Sequence, residues 1–190
     1  MWSLPDSDPT TLAGAGERAV IAAAQRGSEA AVEELFRRHW AGTHRAAYLI
    51  VRDPAAAEDI AQEAFLSALR ALDRFDRRRR FAPWLHRIAV NRAIDWTRAR
   101  RLRNEVEASE PVLHSARSAP APQEDVGTRD ELEAALGQLS AEHRAMIVLR
   151  YLLEYTPGEI GRMLDLPRGT VNSRLRRGLD RLSELIGEKP

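Results

Sequence analysis

The C-terminal quarter of the chain carries the pattern of a helix-turn-helix, which constrains the fold more than any other feature. Thr156 and Glu159 have the spacing of a capping box, and Pro157 stands at the first helical position. After a break at residues 165–167, a second helix is predicted because apolar residues recur at helical spacing. These residues are Val171, Leu175, Leu179, Leu182 and Ile186.

The opposite face of this second helix is polar and basic. It carries Asn172, Ser173, Arg176 and Arg177. Amide, hydroxyl and guanidinium groups are the donors and acceptors that read base edges and hold phosphates in a major groove. The face therefore predicts DNA binding, although an amphipathic hairpin with a solvated basic face gives the same pattern.

Composition narrows the class of protein. The 190 residues are 44% hydrophobic but only 6% aromatic, which predicts small aliphatic cores. The absence of cysteine excludes disulfides and thiolate chemistry. The first residues lack the order of a signal peptide, and no apolar run is long enough to cross a bilayer. We therefore expect a soluble cytoplasmic protein without direct membrane insertion.

Charge is distributed in blocks that the formal net charge of +1 conceals. Residues 74–103 hold 11 arginines against two aspartates, and residues 166–181 hold five arginines against one aspartate. Residues 104–135 carry eight acidic side chains against two arginines, a formal charge of −6. Such blocks are typical of interaction surfaces, although a solvated face gives the same pattern.

Helical periodicity runs through most of the chain, and no segment alternates as a strand does. The predicted helices are 17–25, 29–51, 55–75, 82–101, 130–139, 141–154, 156–164 and 168–186. Residues 1–16 are predicted to be a disordered tail. Residues 104–127 contain three prolines and no core-forming pattern, which predicts a flexible acidic linker. The predicted fold class is all-α, with small helical domains at 17–103 and 128–190, the second containing the helix-turn-helix.

A polar stripe follows the predicted helix at 82–101, and an arginine-rich segment precedes it. The stripe consists of Arg87, Asn91, Asp95 and Arg98, and the preceding segment of Arg77, Arg78, Arg79 and Arg80, between Phe75 and Phe81. Guanidinium groups neutralise phosphates, and aromatic rings stack on exposed bases. The two segments together favour binding to unstacked nucleic acid. An ordinary amphipathic helix with local ion pairs is the alternative.

Three segments in this order resemble the bacterial RNA polymerase sigma factors of the extracytoplasmic-function, or group four, type. They are residues 57–66 (AEDIAQEAFL), residues 81–91 (FAPWLHRIAVN) and residues 139–175, which end in GTVNSRL. The resemblance covers residues 17–186. It implies a transcription initiation factor that binds core RNA polymerase, directs it to specific promoters and helps to melt the −10 region.

The resemblance also implies which residues carry out these tasks. The −10 reader of the family corresponds to Arg77, Arg78, Arg79, Arg80, Phe81, Arg87, Asn91, Asp95 and Arg98. The −35 reader corresponds to Arg168, Thr170, Asn172, Ser173, Arg176 and Arg177, on a domain that also docks on the flap of the second-largest polymerase subunit. The surface that docks on the clamp helices of the largest subunit corresponds to Glu58, Asp59, Gln62, Glu63 and Phe65.

The linker and the regulation of such a protein follow from the same resemblance. In similar proteins the linker threads the cleft and RNA-exit path of the polymerase, a channel built for a polyanion, which suits an acidic segment. A tether that is acidic only for solubility is the alternative. An anti-sigma factor is a further partner that the resemblance allows.

Other interpretations of these residues remain open on the sequence alone. The carboxylates of Asp53, Glu58, Asp59 and Glu63 suggest a metal site or a nuclease. Because no histidine lies nearby at ligand spacing, we expect no metal, no cofactor and no catalysis. A free-standing helix-turn-helix regulator would bind operators as a dimer without polymerase, but it leaves the acidic motif unexplained. A protein that only sequesters a partner leaves both basic faces unexplained.

Overall fold

The structure of the chain is a computed structural model that describes residues 14–109 and 129–187. Within these two stretches it contains helices and turns but no strand, which confirms the predicted all-α fold. Most of the predicted tail, residues 1–13, and most of the predicted linker, residues 110–127, lie outside the described residues.

Eight α-helices follow one another in the described stretches, and short 3₁₀ and π segments supplement them. They are α1 (Glu17–Gln25), α2 (Glu29–Val51), α3 (Pro54–Arg70), a 3₁₀ turn (Leu72–Arg74), α4 (Phe81–Ser109), α5 (Arg129–Gly137), α6 (Ala141–Ile147), a π-helix (Val148–Leu152), α7 (Pro157–Leu164) and α8 (Arg168–Ile186). The bounds of α1, α2 and α8 are those predicted from the sequence.

The described residues divide into two compact units. The first comprises residues up to 48 together with 53–92, and the second comprises 49–52 and the residues from 93 onward. The division falls inside α4, whereas the sequence analysis placed a domain limit at residue 103. The domain limits 17–103 and 128–190 therefore stay a prediction.

Helix α3 begins on a side-chain cap and ends earlier than expected. The Asp53 carboxylate accepts a hydrogen bond from the amide of Ala56 at 3.1 Å, and Pro54 occupies the first helical position. The predicted helix at 55–75 instead ends at Arg70, and a 3₁₀ turn follows it. The carbonyl oxygens of Leu72 and Phe75 accept hydrogen bonds from the side chain of Gln25, which compete with a regular helical ladder.

Two other helices differ from the prediction. Helix α4 continues to Ser109, beyond the predicted end at residue 101, through residues with good helix propensity. The predicted helix at 141–154 changes at Val148 into a π-helix, which keeps the side chains of Val148 and Leu149 buried.

The core of the first unit is formed by small and aliphatic side chains. On α3 the buried residues follow the helical repeat and are mostly alanine, which lets neighbouring helices approach closely. They pack with larger side chains of the other helices. The largest of these are Ile21, Leu35, Phe75, Phe81 and Leu85.

The core of the second unit lies where α6, α7 and α8 meet. Its fully buried side chains include Met146, Leu149, Ile160 and Val171. Gly178 of α8 lies against α6, and a Cβ on this glycine would be 3.3 Å from Cδ1 of Ile147. This packing fixes the face that α8 turns away from the core.

Candidate nucleic-acid interface

The capping box predicted for the helix-turn-helix is present at the start of α7. The Thr156 hydroxyl oxygen accepts a hydrogen bond from the amide of Glu159 at 3.3 Å. In return the Glu159 carboxylate accepts from the amide of Thr156 at 2.9 Å. Two amides that lack partners within the helix are thereby satisfied, so the first helix of the motif has a defined start.

The turn between α7 and α8 depends on a glycine that the sequence analysis did not single out. Asp165 ends α7 in the left-handed region, with a φ of 54°. The amide of Leu166 donates a hydrogen bond of 2.9 Å to the carbonyl oxygen of Gly161. A Cβ on Gly161 would lie 2.7 Å from the carbonyl oxygen of Leu166, closer than real contacts permit. The one sequence signal that could have indicated this role is the position of Gly161, shortly before the predicted break at 165–167.

Helix α8 turns its predicted DNA-reading residues to solvent. Asn172, Ser173, Arg176 and Arg177 are all exposed, and Val171, Leu175 and Leu182 on the opposite face are buried. Arg168 at the helix start is also exposed, whereas Thr170 is half-buried. The hydroxyl of Ser173 donates to the carbonyl oxygen of Thr170 at 3.0 Å, which leaves its oxygen lone pairs available as acceptors.

In the first unit, residues 76–80 form a short connection that we call the arginine loop. Its side chains from Arg77 to Arg80 are exposed. Asp76 organises the backbone: its carboxylate accepts from the amide of Arg78, and its carbonyl oxygen from the amide of Arg79, both at 2.9 Å. Within the described stretches, no carboxylate pairs with these four guanidinium groups. They are therefore available to bind phosphate.

Phe81 was expected to offer its ring to an exposed base, and this prediction is wrong. Its side chain is fully buried, and the ring of Phe75, at the other end of the loop, is 8% exposed. The two ring centroids are 5.8 Å apart in an edge-to-face arrangement, with Trp84 packed against both. The two rings therefore belong to the core. Their burial stabilises the ends of the arginine loop.

The polar stripe on α4 differs along its length in exposure and in ion pairing. Asn91 is exposed, and Arg87 is half-buried. Asp95 and Arg98 belong to the second unit, where the Arg98 guanidinium lies 3.8 Å from Asp95 and 2.7 Å from Glu142. Asn91 thus offers an exposed amide on this helix that could read a base.

The acidic side chains of α3 form an exposed surface, which we call the acidic surface and define as Glu58, Asp59, Gln62, Glu63 and Leu66. The Gln62 side-chain amide donates to the Glu58 carboxylate at 3.2 Å. Glu63 is ion-paired with Arg92 of α4. Leu66, which the sequence analysis missed, is 50% exposed beside these polar groups.

Phe65, predicted to lie on this docking surface, instead belongs to the core, so that prediction is wrong. Its side chain is 3% exposed, and its ring lies 5.0 Å from that of Phe36 and 6.0 Å from that of Trp40. It follows Ala64 on the buried face of α3, whereas the next residue, Leu66, has turned toward solvent.

A half-buried histidine, His39, and a buried one, His86, lie in the first unit. The Nε2 atom of His39 is 3.3 Å from the carboxylate of Glu17, and the His39 ring packs on Phe81. Burial lowers the pKa of His39, although the Glu17 carboxylate opposes this effect. Burial, with a smaller contribution from nearby His39, lowers the pKa of His86 to about 4. Both imidazoles are therefore neutral near pH 7.

In residues 14–109 and 129–187, no three histidine, aspartate or glutamate side chains are grouped so that they could hold a metal ion. None of the helices in the described ranges has both the length and the apolar character required to span a membrane.

Two family models match this chain, and they correspond to the surfaces described above. One, described as sigma-70 region 2, matches residues 35–103, which include the acidic surface, the arginine loop and most of α4. The other, described as sigma-70, region 4, matches residues 135–184, which include the helix-turn-helix.

Characterised relatives are similar along most of their length. The chain is 36% identical over 162 residues to RNA polymerase sigma factor CarQ of Myxococcus xanthus, an alignment that covers 85% of this chain and 92% of the relative. It is 35% identical over 168 residues to ECF RNA polymerase sigma factor SigM of Mycobacterium tuberculosis, covering 88% and 83% of the two chains. The solved structure of CnrH in complex with the cytosolic domain of CnrY aligns with a TM-score of 0.66 at 27% identity, covering 92% of this chain and 99% of that one.

Proposed function

Because this chain belongs to the RNA polymerase sigma factors of the extracytoplasmic-function type, we propose that its two exposed basic surfaces and its acidic surface divide the work of promoter recognition. The chain directs core RNA polymerase to promoters. A free-standing regulator does not explain the region 2 match at residues 35–103. The proposal concerns which side chains bind which part of the promoter or the polymerase.

We propose that α8 reads the −35 element in the major groove. The observation that carries this assignment is the orientation of α8, which exposes Asn172, Ser173, Arg176 and Arg177. The burial of Val171, Leu175 and Leu182 turns the opposite face of the helix toward the core. Asn172 and Arg176 are the proposed base readers, because amide and guanidinium groups can form bidentate contacts with base edges. Arg168 and Arg177 are the proposed phosphate contacts, with Thr170 at the edge of this surface.

We propose that the arginine loop and α4 bind the melted −10 strand. The exposed guanidinium groups from Arg77 to Arg80 suit a flexible strand whose phosphates are close together. Asn91 is the proposed base reader on α4, with Arg87 beside it one helical turn earlier. Asp95 and Arg98, further along the helix, are secondary candidates because Arg98 is already ion-paired.

We propose that the acidic surface docks on the clamp helices of the largest polymerase subunit. Leu66 adds an exposed apolar side chain beside these polar groups, which offers an apolar contact to the partner. The flap of the second-largest subunit is the proposed partner of the second unit. This binding would take place in the cytoplasm, where the polymerase and promoters meet, and the proposal assigns no catalytic role to the chain.

A regulatory partner is also proposed. CnrH was solved in complex with the cytosolic domain of CnrY, and its chain aligns with 92% of this one. By extension, we propose that an anti-sigma protein binds this chain and competes with core polymerase.

Run-off transcription tests the function directly. Purified core polymerase is supplied with fragmented genomic DNA from the source bacterium, with and without the full chain. Discrete transcripts that appear only with the chain are expected. A control variant in which Asn172 and Arg176 are both changed to alanine should lose these transcripts while it still binds core polymerase. Specific duplex binding without any polymerase-dependent transcript would contradict the proposed function.

A further inference from the structure

The side chain of Gln25 holds the backbone immediately before the arginine loop. Gln25 is the last residue of α1, and its Nε2 donates to the carbonyl oxygens of Leu72 at 2.9 Å and Phe75 at 3.0 Å. An amide nitrogen carries two N–H groups, so both bonds form at once. The two carbonyls belong to the 3₁₀ turn and the residue that ends it. The chain therefore enters the loop from a backbone fixed by α1.

The carboxylate of Glu17, at the other end of α1, lies where the chain leaves the loop. One of its oxygens accepts from the backbone amide of Phe81 at 3.4 Å, and the other lies 3.3 Å from Nε2 of His39. Phe81 is the first residue of α4, so its amide has no partner within the helix. A carboxylate at this position also interacts favourably with the helix dipole. Both ends of the loop are thus tied to the same short helix.

The packing of the loop ends agrees with this arrangement. The rings of Phe75 and Phe81 are buried and contact each other edge to face, so the ends of the loop are held together. Only residues 76–80 lie between these two rings. Within this segment Asp76 accepts hydrogen bonds from the amides of Arg78 and Arg79. A loop ordered before binding loses less conformational entropy when it binds its ligand.

We propose that Gln25 and Glu17 are positioning residues for promoter melting, which hold the arginine loop in the conformation that receives the unstacked −10 strand. The inference rests on the proposed function of the loop. It adds a requirement for α1, which lies outside residues 35–103 matched by the region 2 family model. Neither side chain is proposed to contact DNA, since each acts through the backbone of the loop.

The positioning role of Gln25 is tested in the full chain by a substitution that removes only the two N–H donors of its side-chain amide. Gln25→Met preserves the length of the side chain, and Gln138→Met, at an exposed glutamine of the second unit, is the matched control. In Gln25→Met, amide hydrogen exchange at residues 78–81 should accelerate about tenfold, because the loop opens more often. Open-complex formation on duplex promoter DNA should fall about fivefold. Circular dichroism and affinity for core polymerase should stay unchanged, and the control should match the wild type throughout.

A cycle with the loop itself distinguishes failure of this inference from failure of the proposed function. Arg78→Ala/Arg79→Ala should impair melting, and adding Gln25→Met to that variant should cause no further loss. If the arginine variant is impaired but Gln25→Met melts promoters normally, the loop keeps its function and the positioning role is overturned. If Gln25→Met causes the same loss in both backgrounds, it acts elsewhere and the inference is wrong. If the arginine variant melts promoters normally, the loop function itself fails, and the inference fails with it.

Discussion

The amide of Leu166 donates a hydrogen bond of 2.9 Å to the carbonyl oxygen of Gly161, and this bond closes the turn of the helix-turn-helix. Leu166 immediately precedes Pro167, the N-cap residue of α8. The hydrogen bond therefore fixes the start of the proposed recognition helix relative to α7. The orientation of the DNA-reading side chains depends in this way on a glycine outside the helix that carries them.

Gly161→Ala should destabilise the chain, because the added Cβ would lie 2.7 Å from the carbonyl oxygen of Leu166. We expect a loss of about 1–3 kcal/mol in the free energy of unfolding, measured by urea denaturation, together with reduced transcription from −35-dependent promoters. Gly158→Ala is the matched control, because open space surrounds that glycine in the same helix. The control should keep or slightly raise stability, since alanine favours the helix. Equal urea midpoints for the two variants would contradict the close contact.

Asn172→Ala or Arg176→Ala should reduce activity mainly through particular −35 base pairs. Each lost base contact should weaken promoter binding by about 1–3 kcal/mol and relax the sequence preference at one position. The measurement is transcription from a library of promoters randomised in the −35 element. Arg181→Ala is the control, because the Arg181 guanidinium lies 2.8 Å from Glu184 on the same helix, beyond the proposed reading face. An unchanged −35 preference in Asn172→Ala would show that the reading face is wrongly placed.

Asn91→Ala and Arg78→Ala/Arg79→Ala should impair melting more than initial promoter binding. These side chains are exposed, so their substitution should leave the fold intact, and they are proposed to meet DNA only after bases leave the stack. Permanganate footprinting on linear promoter DNA measures the open complex, and a template with a pre-melted bubble provides the comparison. We expect the bubble to restore activity. Equal defects on both templates would assign these residues to folding or docking instead.

The helices and the polar face of α8 could be predicted from the sequence because both depend on local periodicity. Apolar residues at helical spacing determine which side of α8 packs on the core, and the exposed side then follows for Asn172 and Arg176. The capping box at Thr156 is equally local, since it is set by two residues three positions apart.

The burial of single aromatic residues could not be predicted in the same way. Phe65 and Leu66 are adjacent in sequence but lie on different faces of α3, and packing against Phe36 and Trp40 accompanies the burial of the aromatic ring. Because Phe81 adjoins four arginines, the sequence predicts a DNA contact there, whereas the packing of Phe75 against it places both rings in the core. The bonds from Gln25 to Leu72 and Phe75 span about fifty positions, which no local pattern reveals.

Stability should fall as the pH is lowered from 7.5 to 5, because His86 is buried in its neutral form. Burial lowers the pKa of His86 from 6.5 to about 4, so below pH 6.5 the unfolded chain takes up a proton that the folded chain does not. This group should cost about 2 kcal/mol of stability at pH 5 relative to pH 7.5. His39, whose pKa is also lowered, acts in the same direction.

Urea denaturation at several pH values measures this dependence. His86→Gln should flatten the pH dependence between 7.5 and 5 whatever its effect on absolute stability. A His86→Gln chain whose stability falls as steeply as that of the wild type would assign the dependence to other groups.

Asp59→Arg should disrupt binding to core polymerase without affecting the fold. Asp59 is an exposed residue of the acidic surface, so replacing it should change stability by less than about 0.5 kcal/mol. Reversing its charge introduces like-charge repulsion with a basic partner surface. This repulsion should weaken core binding at least about tenfold. Asp59 is a better site for this test than Glu63, because Glu63 is ion-paired with Arg92 and its reversal would also disturb α4.

Two further variants separate docking from a general effect of charge. Glu33→Arg makes the same charge change at an exposed residue of α2 and should bind polymerase as the wild type does, because Glu33 lies outside the acidic surface. Leu66→Ala should weaken core binding without altering charge, since half of that side chain is exposed and available for apolar contact. Affinity for core polymerase is measured by fluorescence anisotropy of the labelled full chain. If Asp59→Arg and Leu66→Ala both bind at the wild-type level while folded, the clamp-docking surface lies elsewhere on the first unit.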